Sequence, residues 1–204
     1  LPFVLSFFLY EDFIMFKIIL AAVGAVMLYA FLLTGSRGGF IGLAVVLFMF
    51  LRRRVGSLIG GVLLVAMLAA ILAFAPDYTV ERLKTASPYE GTGASRLNLW
   101  YEGWRMFLSN PILGVGKGNF VELSSIHYVA HNSFIHVAAE LGLPGLIVWI
   151  ALFYFSFKAL ISAQKIYAEG GGRIKALSDS LMIGMIGFIS TAFFLSRQYQ
   201  YLPY

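Results

Sequence analysis

From Phe13 to Thr34 the chain runs through apolar residues interrupted by one charge, Lys17. About 20 residues at 1.5 Å each cross the roughly 30 Å hydrocarbon core of a bilayer, so a helix through this stretch is long enough to span a membrane. Similar runs recur at Phe40–Leu51, Gly56–Ala75, Leu143–Leu160 and Leu177–Leu195, and Leu1–Leu9 reads as the tail of an earlier one. Gly60, Gly61, Ala66, Ala69 and Ala70 give the third run the small residues that let helices approach closely in lipid. Only 12% of the residues are charged and 60% are apolar. Soluble domains run near 25% charged, which excludes a soluble protein with a large core. The expected fold class is all-α, a polytopic transmembrane helix bundle of about five to six spans. The chain is expected to form a single membrane domain, residues 1–204, with spans near 13–34, 40–51, 56–75, 143–160 and 177–195. A long loop, 76–142, is expected to carry amphipathic helices. No Met opens the sequence and no basic stretch precedes Leu1, so a fragment of a larger polytopic protein is expected rather than a signal peptide. With no cysteine, disulfides, thiol nucleophiles and cysteine metal sites are excluded.

Lys and Arg placement orients the spans. Lys17, Arg52, Arg53, Arg54, Lys158, Lys165, Arg173 and Lys175 fall on one side, the cytoplasmic one by the positive-inside rule. The Gly35–Gly39 turn, the 76–142 loop and the tail at Arg197 then face outward. The net charge of +5 reflects this topology and is no argument for a nucleic-acid partner. Gly170-Gly171-Gly172 reads as a flexible linker. Within the loop, Ala94–Leu108 reads as a helix lying on the membrane surface. Leu97, Trp100, Tyr101, Trp104 and Leu108 recur at helical spacing, and Arg96, Asn98, Glu102 and Arg105 occupy the rest of the wheel. Ser95 can cap it, Asn110-Pro111 stops it, and Gly114, Gly116 and Gly118 form an irregular connector.

Polar residues at the edge of apolar runs are costly to desolvate, and three groups of them stand out. Thr34-Gly35-Ser36-Arg37-Gly38-Gly39 joins two spans by a short turn. Its glycines and the next helix N-terminus suit an anion, so Arg37 reads either as a phosphate clamp or as an arginine snorkelling to lipid headgroups. Arg96 reads either as a ligand contact or as part of an interfacial anchor with Trp100 and Trp104. His131, just before the Leu143 span, has an unperturbed pKa near 6.5 that suits a general base. It reads equally as a buried histidine bonded to a carbonyl. His127 lies four residues before His131, and His136 four before Glu140, so each pair shares a helix face. There is no His-Glu-x-x-His and no third ligand with convincing spacing, so no metal is assigned. Gly116-Lys117-Gly118 lacks Walker spacing. A Gly-x-Ser-x-Gly elbow and an Asp-x-Asp pair are both absent.

Three pieces together resemble the O-antigen ligase/polymerase superfamily of membrane glycosyltransferases. They are Ser36-Arg37-Gly38; the Ser95-Arg96 to Trp100 helix with Asn110-Pro111-Ile112-Leu113-Gly114-Val115-Gly116; and His131-Asn132 through Glu140-Leu141-Gly142-Leu143-Pro144-Gly145. The resemblance covers roughly Gly24 to Leu195 and implies further spans on both sides. It implies a GT-C-like, inverting transferase that needs neither metal nor other cofactor. The donor would be a polyprenyl-diphosphate-linked glycan. The acceptor would be lipid A-core or another glycan. The location would be the bacterial inner (cytoplasmic) membrane, multi-pass, with the site facing the periplasm and membrane lipids around it. Carried over residue by residue, Arg37 and Arg96 would hold the donor diphosphate and His131 would be the base. Asn132 and Glu140 fit structural roles better, a helix cap and an interfacial pair, and remain secondary candidates with His127. A repeat-unit polymerase of the same superfamily and a protein O-glycosylating ligase are close alternatives. A lipid-linked glycan transporter, from a different class, would show charges at mid-helix. Here the span centres are clean.

Overall fold

The computed structural model describes residues 1–73, 75, 77, 80, 92–166 and 172–194, with only the backbone described at Arg37, 92–95 and 172–173. Eight helices account for most of these residues: α1 (Pro2–Tyr10), α2 (Ile14–Thr34), α3 (Arg37–Val55), α4 (Ser57–Ala73), α5 (Thr92–Ser109), α6 (Asn119–Leu123), α7 (Ser133–Ile166) and α8 (Gly172–Ala192). No strand occurs among the described residues. The connections are short and their chemistry is local. Gly35, in the left-handed region, closes α2 with its N–H on the Leu32 carbonyl. Ser36 immediately caps α3, its Oγ accepting the Gly39 N–H at 3.2 Å. Asn110-Pro111 follows the end of α5, as the sequence predicts.

Among the described residues, three helices are long and apolar enough to cross a membrane: Ile14–Thr34, Ser133–Ile166 and Ile174–Ala192. The expected span at 40–51 lies inside α3, whose 19 residues end in Arg52-Arg53-Arg54. The one at 56–75 corresponds to α4, an apolar helix of 17 residues. These helices leave large apolar side chains uncovered, Leu58 82% and Val148 69% exposed among them, as a protein solvated by lipid requires. The Gly170-Gly171-Gly172 linker falls mostly outside the described residues.

The chain forms two compact units, and α7 is divided between them after Phe155. The first unit holds α1 to α4 with Ser156–Ser190. Phe31 and Phe40 meet edge to face at 5.0 Å across the α2–α3 turn. Serines inside this unit are satisfied by backbone carbonyls. The Ser180 hydroxyl donates to the Ala176 carbonyl at 2.6 Å and the Ser190 hydroxyl to Ile186 at 2.9 Å.

The second unit is built on a broken helix. Its core comprises Leu99, Phe120, Ala130 and Ala139, with Met106 and Ile135 packed against them. α7 departs from helical geometry at Gly142, φ 65° and ψ −161°. Two residues on, Pro144 has no N–H to offer the Glu140 carbonyl. The Leu143 N–H turns away and donates to the Pro111 carbonyl at 2.7 Å. The Ala139 and Glu140 carbonyls thus lose their partners within the helix, and an unpaired buried carbonyl costs about 1–3 kcal/mol. The connector after α5 supplies replacements: Val115 N–H to Ala139 at 2.8 Å and Gly116 N–H to Glu140 at 3.0 Å. The connector comes so close that a Cβ on Gly114 (φ +67°) would stand 2.4 Å from the Glu140 carbonyl, and one on Gly142 2.5 Å from the Ile112 oxygen. Gly114 of the connector and Gly142 of the helix are the two sides of one contact.

Gly114→Ala is expected to destabilise the protein by more than about 1 kcal/mol, through positive φ and steric overlap together. Gly61→Ala, where a Cβ meets nothing within 4 Å, is expected to be neutral or slightly stabilising. Thermal unfolding of both variants in detergent checks the contrast.

Candidate active site

His131 sits between two anchored neighbours. On one side, the Trp100 indole N–H donates to the Ala130 carbonyl at 2.8 Å. On the other, Asn132 caps α7, its Oδ1 accepting the N–H groups of Phe134 at 3.0 Å and Ile135 at 3.1 Å. Between these anchors the His131 backbone adopts φ 51°. Positive φ is uncommon outside glycine and costs of order 1–3 kcal/mol, so it persists only where its surroundings impose it. His127 adopts φ 49° in the same loop. The loop is tied down once more at Ser124, whose Oγ accepts the Tyr128 N–H at 3.0 Å, and by the Ser125 N–H on Glu102 Oε2 at 3.0 Å. Two side chains of α5, Trp100 and Glu102, therefore hold the loop that presents His131.

The imidazole is half-buried, and the Tyr128 ring lies 5.2 Å from it, centre to centre. Its pKa is held below 6.5 by burial first and by the positive charge of Arg96 second. Both effects disfavour a second proton on the ring. At neutral pH the side chain is an uncharged imidazole with one nitrogen able to accept a proton, beside a guanidinium that suits an anion. Arg96 is half-buried on the first turns of α5, so this helix carries both the cation and the indole that fixes the Ala130 carbonyl. The apolar stripe predicted for the helix is divided. Leu97, Tyr101, Trp104 and Leu108 are exposed, whereas Leu99 is buried in the core. The opposite side of the helix packs on the protein, a face the stripe did not include.

The other sequence candidates take different places. His127 is exposed, with Nδ1 3.2 Å from the Val121 carbonyl oxygen. Glu140 is buried inside the unit, 1% exposed. Its Oε1 lies 3.1 Å from His136 Nε2 and accepts the Phe120 N–H at 3.2 Å. The Phe120 and His136 rings stack at 4.7 Å. Glu140 thus fastens α6 to α7. Arg105 lies over the Tyr101 ring at 6.0 Å. Arg37 is the first residue of α3, in the other unit. Its side chain lies outside the described residues. The expected cap at Ser95 is not one: α5 already begins at Thr92, which puts Ser95 inside the helix. No group of three or more His, Asp or Glu side chains fit to hold a metal occurs among the described residues. Sequence reasoning missed Tyr128 and the hydrogen bond of Trp100. The Arg96–Trp100 spacing of four was a usable signal for the second, since it puts both on one helix face.

A family model described as O-antigen ligase matches residues 22–150. The chain belongs to the O-antigen ligase family. The matched stretch runs from within α2 to within α7 and includes Arg37, Arg96 and His131. A comparison with curated proteins gives no match. Family membership agrees with the uncovered apolar helices, and at the level of the family it points to glycosyltransferases of the ligase/polymerase type acting on glycans and lipid-linked substrates. In this O-antigen ligase family member, the matched region includes both the broken-helix junction and the loop that it supports.

His131 is expected to titrate below 6.5, and Arg96→Gln to move its midpoint upward by removing the nearby positive charge. The sign extends to folding. Because the unfolded chain takes up this proton first, His131 lowers stability progressively as the pH falls below 6.5. Histidine ring NMR across pH 4–8, on wild type and Arg96→Gln, reads both midpoints. A midpoint at or above 6.5 in the wild type contradicts the assignment.

Proposed function

We propose that this chain provides the catalytic part of an O-antigen ligase-type glycosyltransferase. In this reading it moves a polyprenyl-diphosphate-linked glycan onto an acceptor hydroxyl, lipid A-core or a similar glycan, at the periplasmic face of the inner membrane. The observation that carries the reading is His131 itself, held at positive φ between two anchored neighbours, where burial and the charge of Arg96 both disfavour the imidazolium. A sugar hydroxyl is a poor nucleophile, and a neutral imidazole within reach of its proton accelerates attack by about 10²–10⁴-fold. The attacking oxygen forms a bond to the anomeric carbon as the bond to the diphosphate oxygen breaks. The hydroxyl proton passes to His131, and the electron pair leaves with the diphosphate. Attack from the face opposite the leaving group inverts the anomeric centre. The charge that develops on the diphosphate falls to Arg96 and Arg37, whose guanidiniums offer forked donors and keep their charge throughout. The glycine-flanked start of α3 adds backbone N–H groups and a helix N-terminus beside Arg37.

Arg96 has a second consequence in this mechanism. In the free enzyme it depresses His131. A bound diphosphate offsets that charge, so donor binding strengthens the base when it is needed.

The assay uses the full-length parent protein with a polyprenyl-diphosphate glycan and lipid A-core, in the presence of chelator. His131→Ala is expected to lose about 10²–10⁴-fold in kcat. Arg96→Ala and Arg37→Ala are expected to lose on the order of 10²–10³-fold, the scale of deleting one charge-stabilising donor. The acid limb of kcat is expected at higher pH than that of kcat/KM, because the first reports the donor complex and the second the free enzyme. Chain lengthening without transfer to core would make the enzyme a polymerase. Full activity of His131→Ala would remove that residue from the chemistry, and activity that vanishes with chelator would overturn the metal-independent mechanism.

A further inference from the structure

In the first unit, the end of α3 opposite Arg37 opens into a cavity of about 320 Å³ lined by Ser6, Tyr10, Phe50, Arg53, Arg54, Lys175, Asp179 and Ile183. This volume is at the lower end of the roughly 300–1,000 Å³ typical of small-ligand sites. Three of the lining groups are cationic and one is a carboxylate. The carboxylate is already engaged: Asp179 Oδ1 accepts from the Arg53 guanidinium and from Gln164 Nε2 at 2.7 Å. Arg53 is held further by Met182 Sδ, 3.2 Å from its Nη2. The surplus positive charge therefore belongs to Arg54 and Lys175. Arg54 is poised over the Tyr10 ring at 5.4 Å, and Lys175 has no carboxylate within ion-pair distance among the described residues. Both are exposed.

The cavity is amphipathic. Two cations and the hydroxyls of Ser6 and Tyr10 offer donors, while Phe50 and Ile183 offer an apolar wall. Its depth is fixed by the helix that carries it. The 19 residues of α3 rise about 28 Å, so Arg53 and Arg54 are separated from Arg37 by a distance close to the thickness of a hydrocarbon core. A phosphate with apolar substance attached is a lipid headgroup, and the two cations left after Arg53 pairs with Asp179 favour one of net negative charge. We propose that this cavity binds the phosphate of an anionic phospholipid headgroup, with Arg54 and Lys175 as its charge partners and Phe50 and Ile183 against the glycerol and first acyl carbons. Basic pockets between spanning helices take such headgroups, with about 1 kcal/mol from each Lys or Arg. The site is separate from the proposed transfer chemistry and requires no turnover.

The test is native mass spectrometry of the full chain released from neutral detergent, titrated with dioleoyl phosphatidylglycerol or with zwitterionic dioleoyl phosphatidylcholine. Preferential retention of phosphatidylglycerol is expected, weakened about fivefold by Arg54→Gln or by Lys175→Gln with unchanged melting temperature. Equal retention of the two lipids in the wild type overturns the proposal whether or not either variant folds, as does undiminished preference in both variants. Displacement of phosphatidylglycerol by an equal concentration of inorganic phosphate would make this a small-anion site and overturn the lipid assignment.

Discussion

Two backbone carbonyls, those of Ala139 and Glu140, organise the second unit. A continuous helix would satisfy them from within. Gly142 and Pro144 prevent it, and Val115 and Gly116 donate in their place. Local sequence thus creates a defect in α7 that only a distant segment can repair, and the repair is specific because Gly114 admits the close approach. Once the connector is docked, α6 follows it, and Phe120 reaches the core and the Glu140 carboxylate. The polar residues His136 and Glu140 are then buried facing one another.

Everything that positions His131 is stacked on this arrangement. Asn132 caps the helix whose far end is broken, and the α5 helix that precedes the docked connector returns Trp100 to the Ala130 carbonyl. A positive φ at His131 is affordable only because both flanks are fixed. The electrostatics share this origin. The loop that half-buries the imidazole also brings it within the field of Arg96, and both effects keep the ring uncharged.

The first unit separates its charges along the length of α3. Arg37 and the glycine-rich turn start the helix, and Arg52, Arg53 and Arg54 end it. One element thus carries a candidate diphosphate contact at one end and a basic cavity at the other. Internal pairing absorbs Arg53 into Asp179 and leaves Arg54 and Lys175 as the cationic lining of the cavity.

Much of this was legible in the chain. Apolar runs of spanning length determine helices in lipid because no other local fold satisfies the backbone there, and each predicted run overlaps a helix among the described residues. Asn132 as a cap and Asn110-Pro111 as a stop are local stereochemistry and were readable for that reason. The motifs that carry the family resemblance were also visible, residue by residue. The sequence did not show what those motifs do for one another. Asn110–Gly116 and Glu140–Gly145 read as separate motifs, because a hydrogen bond between segments some 25 residues apart leaves no periodic signal. The burial of Glu140 and the anchoring of His131 by Trp100 were likewise hidden, since each depends on which helix face meets which neighbour. The sequence by itself determined the helices, their solvent and the candidate residues. Tertiary structure alone decided that a broken helix would be mended by a distant loop, and that this mend would hold an uncharged histidine in the field of an arginine, because long-range pairing of backbone groups is set by packing and not by local propensity.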